Sequence, residues 1–412
     1  MLLTRRGLFE IAGLLALTRP VAVHGRGDGA ADEVARRAAD AIRGYSEEGA
    51  HRTATRADKA SGDRLLALAR ATGASASLQP FELSRVDPAV SFLEIGGQRL
   101  EGLPMFDGAF TNADGVRGAI GAAASDQDRP IVWTSVSPNA EIELRKTRLA
   151  STARAIVAVT AGQRPGLCPI NAAFFREPFG PPVLQIGSEQ VGAVERAVQS
   201  GGDVRVVAHA NRSPATAFNV VAEVRGTQAA LAPVCVMTPR SGWYRNASER
   251  GGGIACWLEA LREVAAKRPL RTVKFVASSG HELGHLGLHA YLERHPALAH
   301  QALVWVHLGA NIGTSTGPTG MTCSDDRAEA AALRALAAHG VGDLPRSPAA
   351  QVGGEALTIS RANGRFISFI GRNVWFHNSR DVWPDVVDVP MVARFARAVG
   401  ALTVSLGNAP AA

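Results

Sequence analysis

Residues His281-Glu282-Leu283-Gly284-His285 spell HExxH. On a helix, that spacing places two histidines on one face as zinc ligands, with the glutamate as general base. The surroundings argue against this use. The motif follows an apolar run at 273–277 and the turn Ser278-Ser279-Gly280, so His281 opens a helix instead of lying inside one. The longer form of the motif needs a glycine and a third histidine further on, and Gly287 and His289 fall at the wrong offsets. HExxH is read here as a coincidence, with His285 and His289 on a polar helix face.

Elements must position whatever chemistry His281 and Glu282 do. Helical spacing predicts helices over 32–42 and 64–71, with Gly44 and Gly73 as stops. Between about 80 and 208, short β-type runs (90–95, 130–134, 155–159, 182–186) alternate with Gly/Pro loops, and 189–198 reads as one helix. Beyond that comes a βαβ rhythm. Strands are expected at 217–224, 234–237, 273–277 and 302–308, with helices at 253–266, 282–295, 328–339 and 390–402. Apolar strands alternating with amphipathic helices imply an α/β fold, a mostly parallel sheet covered on both faces.

Four segments in order carry a resemblance: NVVAEVRG from Asn219, VKFVASSGHELGHLGLHAYL from Val273, ALVWVHLGANIG from Ala302 and FHNSRDVWPDVVD from Phe376. They resemble the successive motifs of metallopeptidase family 28, which includes bacterial leucyl aminopeptidases, glutamate carboxypeptidase and, as a relative, glutaminyl cyclase. The resemblance covers residues 35–80 and 216–405. The segment between is similar to a protease-associated domain, ending in PPVLQIGSEQ. It implies a three-layer zinc-exopeptidase fold, a mixed, mostly parallel central sheet with helices on both faces. An inserted β-rich protease-associated domain would occupy 81–212, and the peptidase-like parts 30–80 and 213–412.

Family members hold two zinc ions with a His, a bridging Asp, a Glu, a further Asp and a final His; a second Glu before the ligand Glu is the base. Here Thr238 stands where the first His belongs, and Arg240 where an Asp follows it. Glu249 is best placed as the bridging acid, although an alternative alignment puts Arg245 there. The Glu pair becomes His281-Glu282, the later Asp becomes His307, and the final His is kept as His377, with Asp381 after it. The resemblance thus implies a rebuilt site. One zinc ion, or none, sits on Glu282, His377 and Glu249, with His307 as a further nitrogen ligand. His281 takes the part of base, since an imidazole titrates near neutrality. Arg240 would repel a metal, and either binds a substrate carboxylate or pairs with Glu249.

Composition limits the alternatives. At 412 residues and 46% hydrophobic, the chain can bury a sizeable core. The net charge of +7 comes without basic runs interleaved with aromatics, so a nucleic-acid partner is not expected. Thr4-Arg5-Arg6-Gly7-Leu8-Phe9 and the short apolar run 11–17 read as a cleaved twin-arginine signal over residues 1–25. The run is too short for a permanent anchor, which implies a periplasmic or secreted protein. Cys168, Cys235, Cys256 and Cys323 show no CxxC spacing; Cys235 and Cys256 fall in core-like runs. Three functions remain open. The first is an exported aminopeptidase-like hydrolase with one zinc, taking a peptide or small amide. The second is an inactive peptide- or ligand-binding pseudoenzyme, and the third a glutaminyl-cyclase-like acyl transferase.

Overall fold

The structure, a computed structural model, describes residues 26–126 and 128–410, so the expected signal segment lies outside the described residues. Two helices come first, α1 (Arg26–Glu47) and α2 (Arg56–Arg70). They are followed by β1 (Ser75–Ile95), β2 (Gln98–Pro104), β3 (Val116–Ala122), β4 (Ile131–Val136), α3 (Glu141–Ala150), β5 (Ala155–Thr160), β6 (Val183–Gly187) and α4 (Val191–Ser200). Next are β7 (Asp203–Val224), β8 (Val234–Pro239), α5 (Gly251–Lys267), β9 (Val273–Ser278), α6 (Leu286–Arg294), α7 (Leu298–Gln301) and β10 (Val304–Leu308). The chain closes with β11 (Thr319–Cys323), α8 (Asp326–Ala338), β12 (Arg346–Ser347), α9 (Ala356–Arg361), β13 (Phe366–Gly371) and α10 (Val389–Gly407).

Strands β9, β8, β10 and β13 lie side by side and parallel. β7 joins antiparallel at the β9 edge, and β11 at the β13 edge. Alternation along the strands explains how both faces are covered. In β8, Val234 and Val236 face a core shared with Trp257 of α5 and Phe395 of α10. Cys235 and Met237 face the other layer, with Tyr291 of α6 and Ile359 of α9. The sheet is a mixed, mostly parallel α/β sheet, as the alternation of elements implied. α10 is apolar because it is a core helix, packed on α5, α1 and α8.

β1 and β7 pair antiparallel from Ser75↔Glu223 to Ile95↔Val204 and run on past this sheet. Their far halves border β2 to β6, where β3, β4, β5 and β6 are parallel neighbours. This second sheet has apolar cores of its own. Leu93, Ile131, Val157 and Leu184 meet Val194 of α4 on one side, and Ile156 and Ala158 meet Leu144 of α3 on the other. β1 extends well before the expected 90–95; Pro80 and Pro88 hide it in the sequence.

The expected helix 282–295 is corrected. His281–Leu283 form a single 3₁₀ turn, and α6 begins only at Leu286. Gly284 (φ 75°) and His285 (φ 61°) both adopt left-handed backbone and break the ladder. Cys235 and Cys256 lie in separate clusters on opposite sides of the sheet, and all four cysteines are unpaired thiols.

Candidate functional site

The residues singled out above sit just beyond the C-terminal ends of the parallel strands, where open α/β sheets bind ligands. Arg240 to Arg250 follow β8, His281 and Glu282 follow β9, His307 lies in β10, and His377 follows β13. A cavity of about 1130 Å³ opens beside them. Ser137, Glu141, Ile142, Asn171 and Phe174 line one wall; His281, His285, His289, His307, Asn311, Thr358 and Asn373 line the other.

The loop after β9 is shaped by close packing. Ser279 N–H donates to Asn219 Oδ1 (3.2 Å), while Asn219 Nδ2 donates to the Gly287 carbonyl (2.8 Å). A Cβ on Gly287 would fall 2.2 Å from the Ser279 carbonyl oxygen, so only glycine lets α6 approach this turn.

Glu282 does not line the cavity. Thr53 donates to its Oε1 from both N–H (2.7 Å) and Oγ1 (2.6 Å), and Ser241 Oγ donates to its Oε2 (2.6 Å). Burial raises the Glu282 pKa, and the Ser241 and Thr53 bonds counter it. Ser241 Oγ also accepts from Gly280 N–H (2.8 Å), so Glu282 ties three loops together. Glu282 is the residue expected as a zinc ligand; in this structure both its oxygens are engaged by donors that a metal would have to displace.

Arg240, expected to bind a substrate carboxylate or to pair with Glu249, is held instead by α2. It pairs neither with Glu249 nor with solvent in the cavity. Its Nη1 donates to Asp58 Oδ1 (2.7 Å), the Asp58 carbonyl (2.6 Å) and Ser61 Oγ (3.0 Å). Nη2 reaches the Phe218 carbonyl. With 1% of its side chain exposed, it pins α2 to the sheet and is not placed to bind substrate. Thr238, at the first-His position, donates to the Leu308 carbonyl (2.8 Å) and stitches β8 to β10.

Glu249 is buried beside His377: Oε1 lies 3.4 Å from His377 Nε2, and Oε2 accepts from Asn246 Nδ2 (2.6 Å). Arg245, the alternative in the sequence, is exposed. Asp381 accepts from the N–H groups of Ser248 and Glu249 (2.9 Å each) and so fixes the turn that carries Glu249. Burial pushes the Asp381 carboxyl up to about 7, the Glu249 charge adding to it. The sequence had not singled out Arg250. Its Nη2 is 2.8 Å from Glu249 Oε1, and its Nε donates to the Ser241 carbonyl (2.8 Å). Burial alone would raise the Glu249 pKa, but Arg250 and then His377 hold it down at about 2.

A second cluster forms around Glu355, which sequence reasoning also missed. Glu355 is fully buried just before α9; Ser278 Oγ donates to its Oε1 at 2.5 Å. His281 Nδ1 is 3.7 Å from Oε1, and His307 Nε2 is 3.8 Å from Oε2. Ser368 Oγ is 2.8 Å from His307 Nδ1. Burial keeps His281 well below the usual imidazole range and takes His307 to about 3, so both are neutral at pH 7. The only signal for Glu355 was a lone acid after Gly353-Gly354, at the head of an apolar stretch.

The two clusters do not merge into one metal shell. Among the described residues, no three His, Cys, Asp or Glu side chains are placed to hold a metal ion. Glu282 faces away, and the Glu249 oxygen nearest His377 already faces a guanidinium. The residues present therefore do not fit the zinc that the resemblance implies at Glu249, Glu282 and His377.

No protein-family model matches the sequence, and no curated protein matches it either. Solved structures do. A zinc aminopeptidase from Bacillus subtilis superposes with a TM-score of 0.72 at 16% identity, over 92% of this chain and 93% of that one. The chain shares its fold. An aminopeptidase from Aneurinibacillus sp. strain AM-1 follows at TM-score 0.68 and 15% identity, over 89% of this chain and 92% of that one. A peptidase M28 precursor from Shewanella amazonensis SB2B gives 0.68 at 15%, over 93% and 97%. At these identities the likeness is one of fold alone.

Proposed function

We propose that this chain is a ligand-binding protein on an aminopeptidase fold, working without zinc and taking a peptide or small amide in the cavity between its two sheets. One observation carries the reading: the Arg250 guanidinium stands 2.8 Å from Glu249 Oε1, the oxygen that also faces His377. A zinc ion would need that oxygen at about 2.0–2.2 Å and would meet a fixed positive charge beside it. The capture of Glu282 by Thr53 and Ser241 supports the same reading. The apolar Ile142 and Phe174 and the polar Asn171 and Asn373 give the cavity wall the mixed character of a peptide site. We further take the chain to be exported by its twin-arginine segment, and the 81–212 portion to be a protease-associated-like insertion that forms one cavity wall.

Metal analysis of the purified mature protein tests this directly. We expect well under a tenth of a zinc per chain, no turnover of aminoacyl-anilides, and a melting temperature indifferent to chelator. Stoichiometric zinc in the unaltered chain overturns the reading and restores the single-zinc hydrolase, which is favoured by His377 and Glu249 still facing one another. The glutaminyl-cyclase-like alternative relied on Glu249, Glu282 and His377 acting together, and Glu282 is turned away. Ammonia release from peptides with N-terminal Gln would revive it.

A further inference from the structure

We infer that the cavity recognises an uncharged amide group across its width: His281 Nε2 accepts the amide N–H from one wall, and Asn171 Nδ2 donates to the amide carbonyl from the other. This rests on the zinc-free binding reading above and deepens it. Three observations carry it. The first is His281. Its Nδ1 is buried and faces Glu355 Oε1 at 3.7 Å, an oxygen that already accepts from Ser278 Oγ. An imidazole nitrogen turned toward an acceptor carries the proton, which leaves the lone pair of the neutral ring on the other nitrogen. That nitrogen, Nε2, has no partner among the described residues, and His281 lines the cavity. Glu355 is thus a positioning residue that holds His281 as an acceptor.

The second is Asn171. Trp243 Nε1 donates to its Oδ1 (3.1 Å). An indole N–H only donates, so Asn171 must turn its oxygen toward Trp243 and its Nδ2 away. Asn171 lines the cavity, and nothing among the described residues accepts from its Nδ2. The third is how the two are held. Ala172 N–H donates to the Glu282 carbonyl (2.8 Å), so the chain neighbours of Asn171 and His281 are bonded directly to one another. Beside them, a Cβ on Gly284 would lie 2.6 Å from the Ala173 carbonyl oxygen. Phe174 is fixed by its N–H bond to Asp107 Oδ2 (3.1 Å), and Asp107 in turn by Arg148 (2.7 Å). A trans amide carries its oxygen and its N–H on opposite sides. One donor and one acceptor on opposite walls match that group, and Phe174 with Ile142 offers an apolar surface to whatever the amide carries.

NMR of the unaltered chain, isotope-labelled at its histidine nitrogens, should show His281 at pH 7 with a protonated Nδ1 and a bare Nε2. The bare nitrogen signal should move when N-methylhexanamide is added. That probe should bind on the order of tenfold more tightly than methyl hexanoate, which replaces the N–H by an oxygen and so meets His281 with a second acceptor. His281→Phe should bind the two probes alike. Asn171→Asp keeps the shape, turns the free donor into an acceptor, and should weaken both probes several-fold. Glu355→Met removes the acceptor behind the ring; it should mix the two tautomers and shrink the amide preference, which a loss of packing alone would not do. A protonated Nε2 in the unaltered chain overturns the inference, as does failure to bind N-methylhexanamide, equal affinity for the two probes, or a folded His281→Phe that keeps the preference. The first three of these need no variant to fold. Stoichiometric zinc in the unaltered chain overturns the zinc-free reading instead. A zinc-free chain that treats amide and ester alike overturns the inference alone.

Discussion

Glu282 and Arg250 show how a few side chains decide what an old site can do. A carboxylate with two oxygens can coordinate an ion or collect donors from the protein. Here Thr53 and Ser241 have taken both oxygens, and the acid has become a clamp between loops. Glu282→Gln turns one acceptor into a donor facing a donor. We expect it to lower unfolding free energy by about 2–3 kcal/mol in urea titrations, the range for hydrogen bonds to a charged group. The cavity and its ligand affinity should survive, because the side chain does not line it. A large loss of binding in a stably folded Glu282→Gln would place the residue back in the site. Asp58 plays the matching part for Arg240, receiving its guanidinium and, on Oδ2, the Ser279 hydroxyl at 2.8 Å. Two charges expected as ligand and repellent each hold separate parts of the chain together in this structure.

Among the elements, the turn between β9 and α6 does most to separate the motif from its apparent meaning. HExxH requires unbroken helix, and Gly284 and His285 in left-handed backbone prevent it. The histidine rings of His281 and His285 end 5.0 Å apart, and both line the cavity. Gly287 permits this shape by its contact with Ser279 and Asn219. Gly287→Ala should displace α6 and cost about 2 kcal/mol or more, since the obstacle is backbone and cannot swing aside. Thermal melts beside an Ala290→Gly control, on the same helix without such a contact, would check it; equal effects would refute the close-approach argument.

Across the whole molecule, buried histidines set the response to acid. Burial takes His51, His285 and His307 from the ordinary 6.5 to about 3. His51 stacks on Tyr45 at 3.9 Å, away from the cavity. Each is more basic unfolded than folded, so its contribution is full above about 6.5 and is lost as pH falls toward about 3. His281, held well below the usual range, acts in the same sense, while Asp381, raised to about 7, and the Asp58 and Glu282 carboxyls, raised by burial, act in the opposite sense over part of this range. His51→Gln should lose less melting temperature than the parent on going from pH 7 to pH 5, and an unchanged pH dependence would refute the assignment.

The amino-acid sequence by itself determined the α/β character and most strands and helices of the C-terminal half, because alternation and helical spacing are local properties of the chain. It also brought Glu249, His281, His307 and His377 to attention, and the fold places all four beyond or at the ends of neighbouring parallel strands. Which way each side chain turns was decided only by tertiary structure. Glu282 meets Thr53 across 229 positions, and Arg240 meets Asp58 across 182. No spacing rule reaches over such distances. Glu355 and Arg250 were invisible for the same reason: a lone acid and a lone arginine gain meaning only from what is folded against them. A metal-like constellation in sequence order became, in three dimensions, a buried ion pair and a histidine–carboxylate cluster, because burial compels each polar group to find a counter-charge or a hydrogen-bond donor.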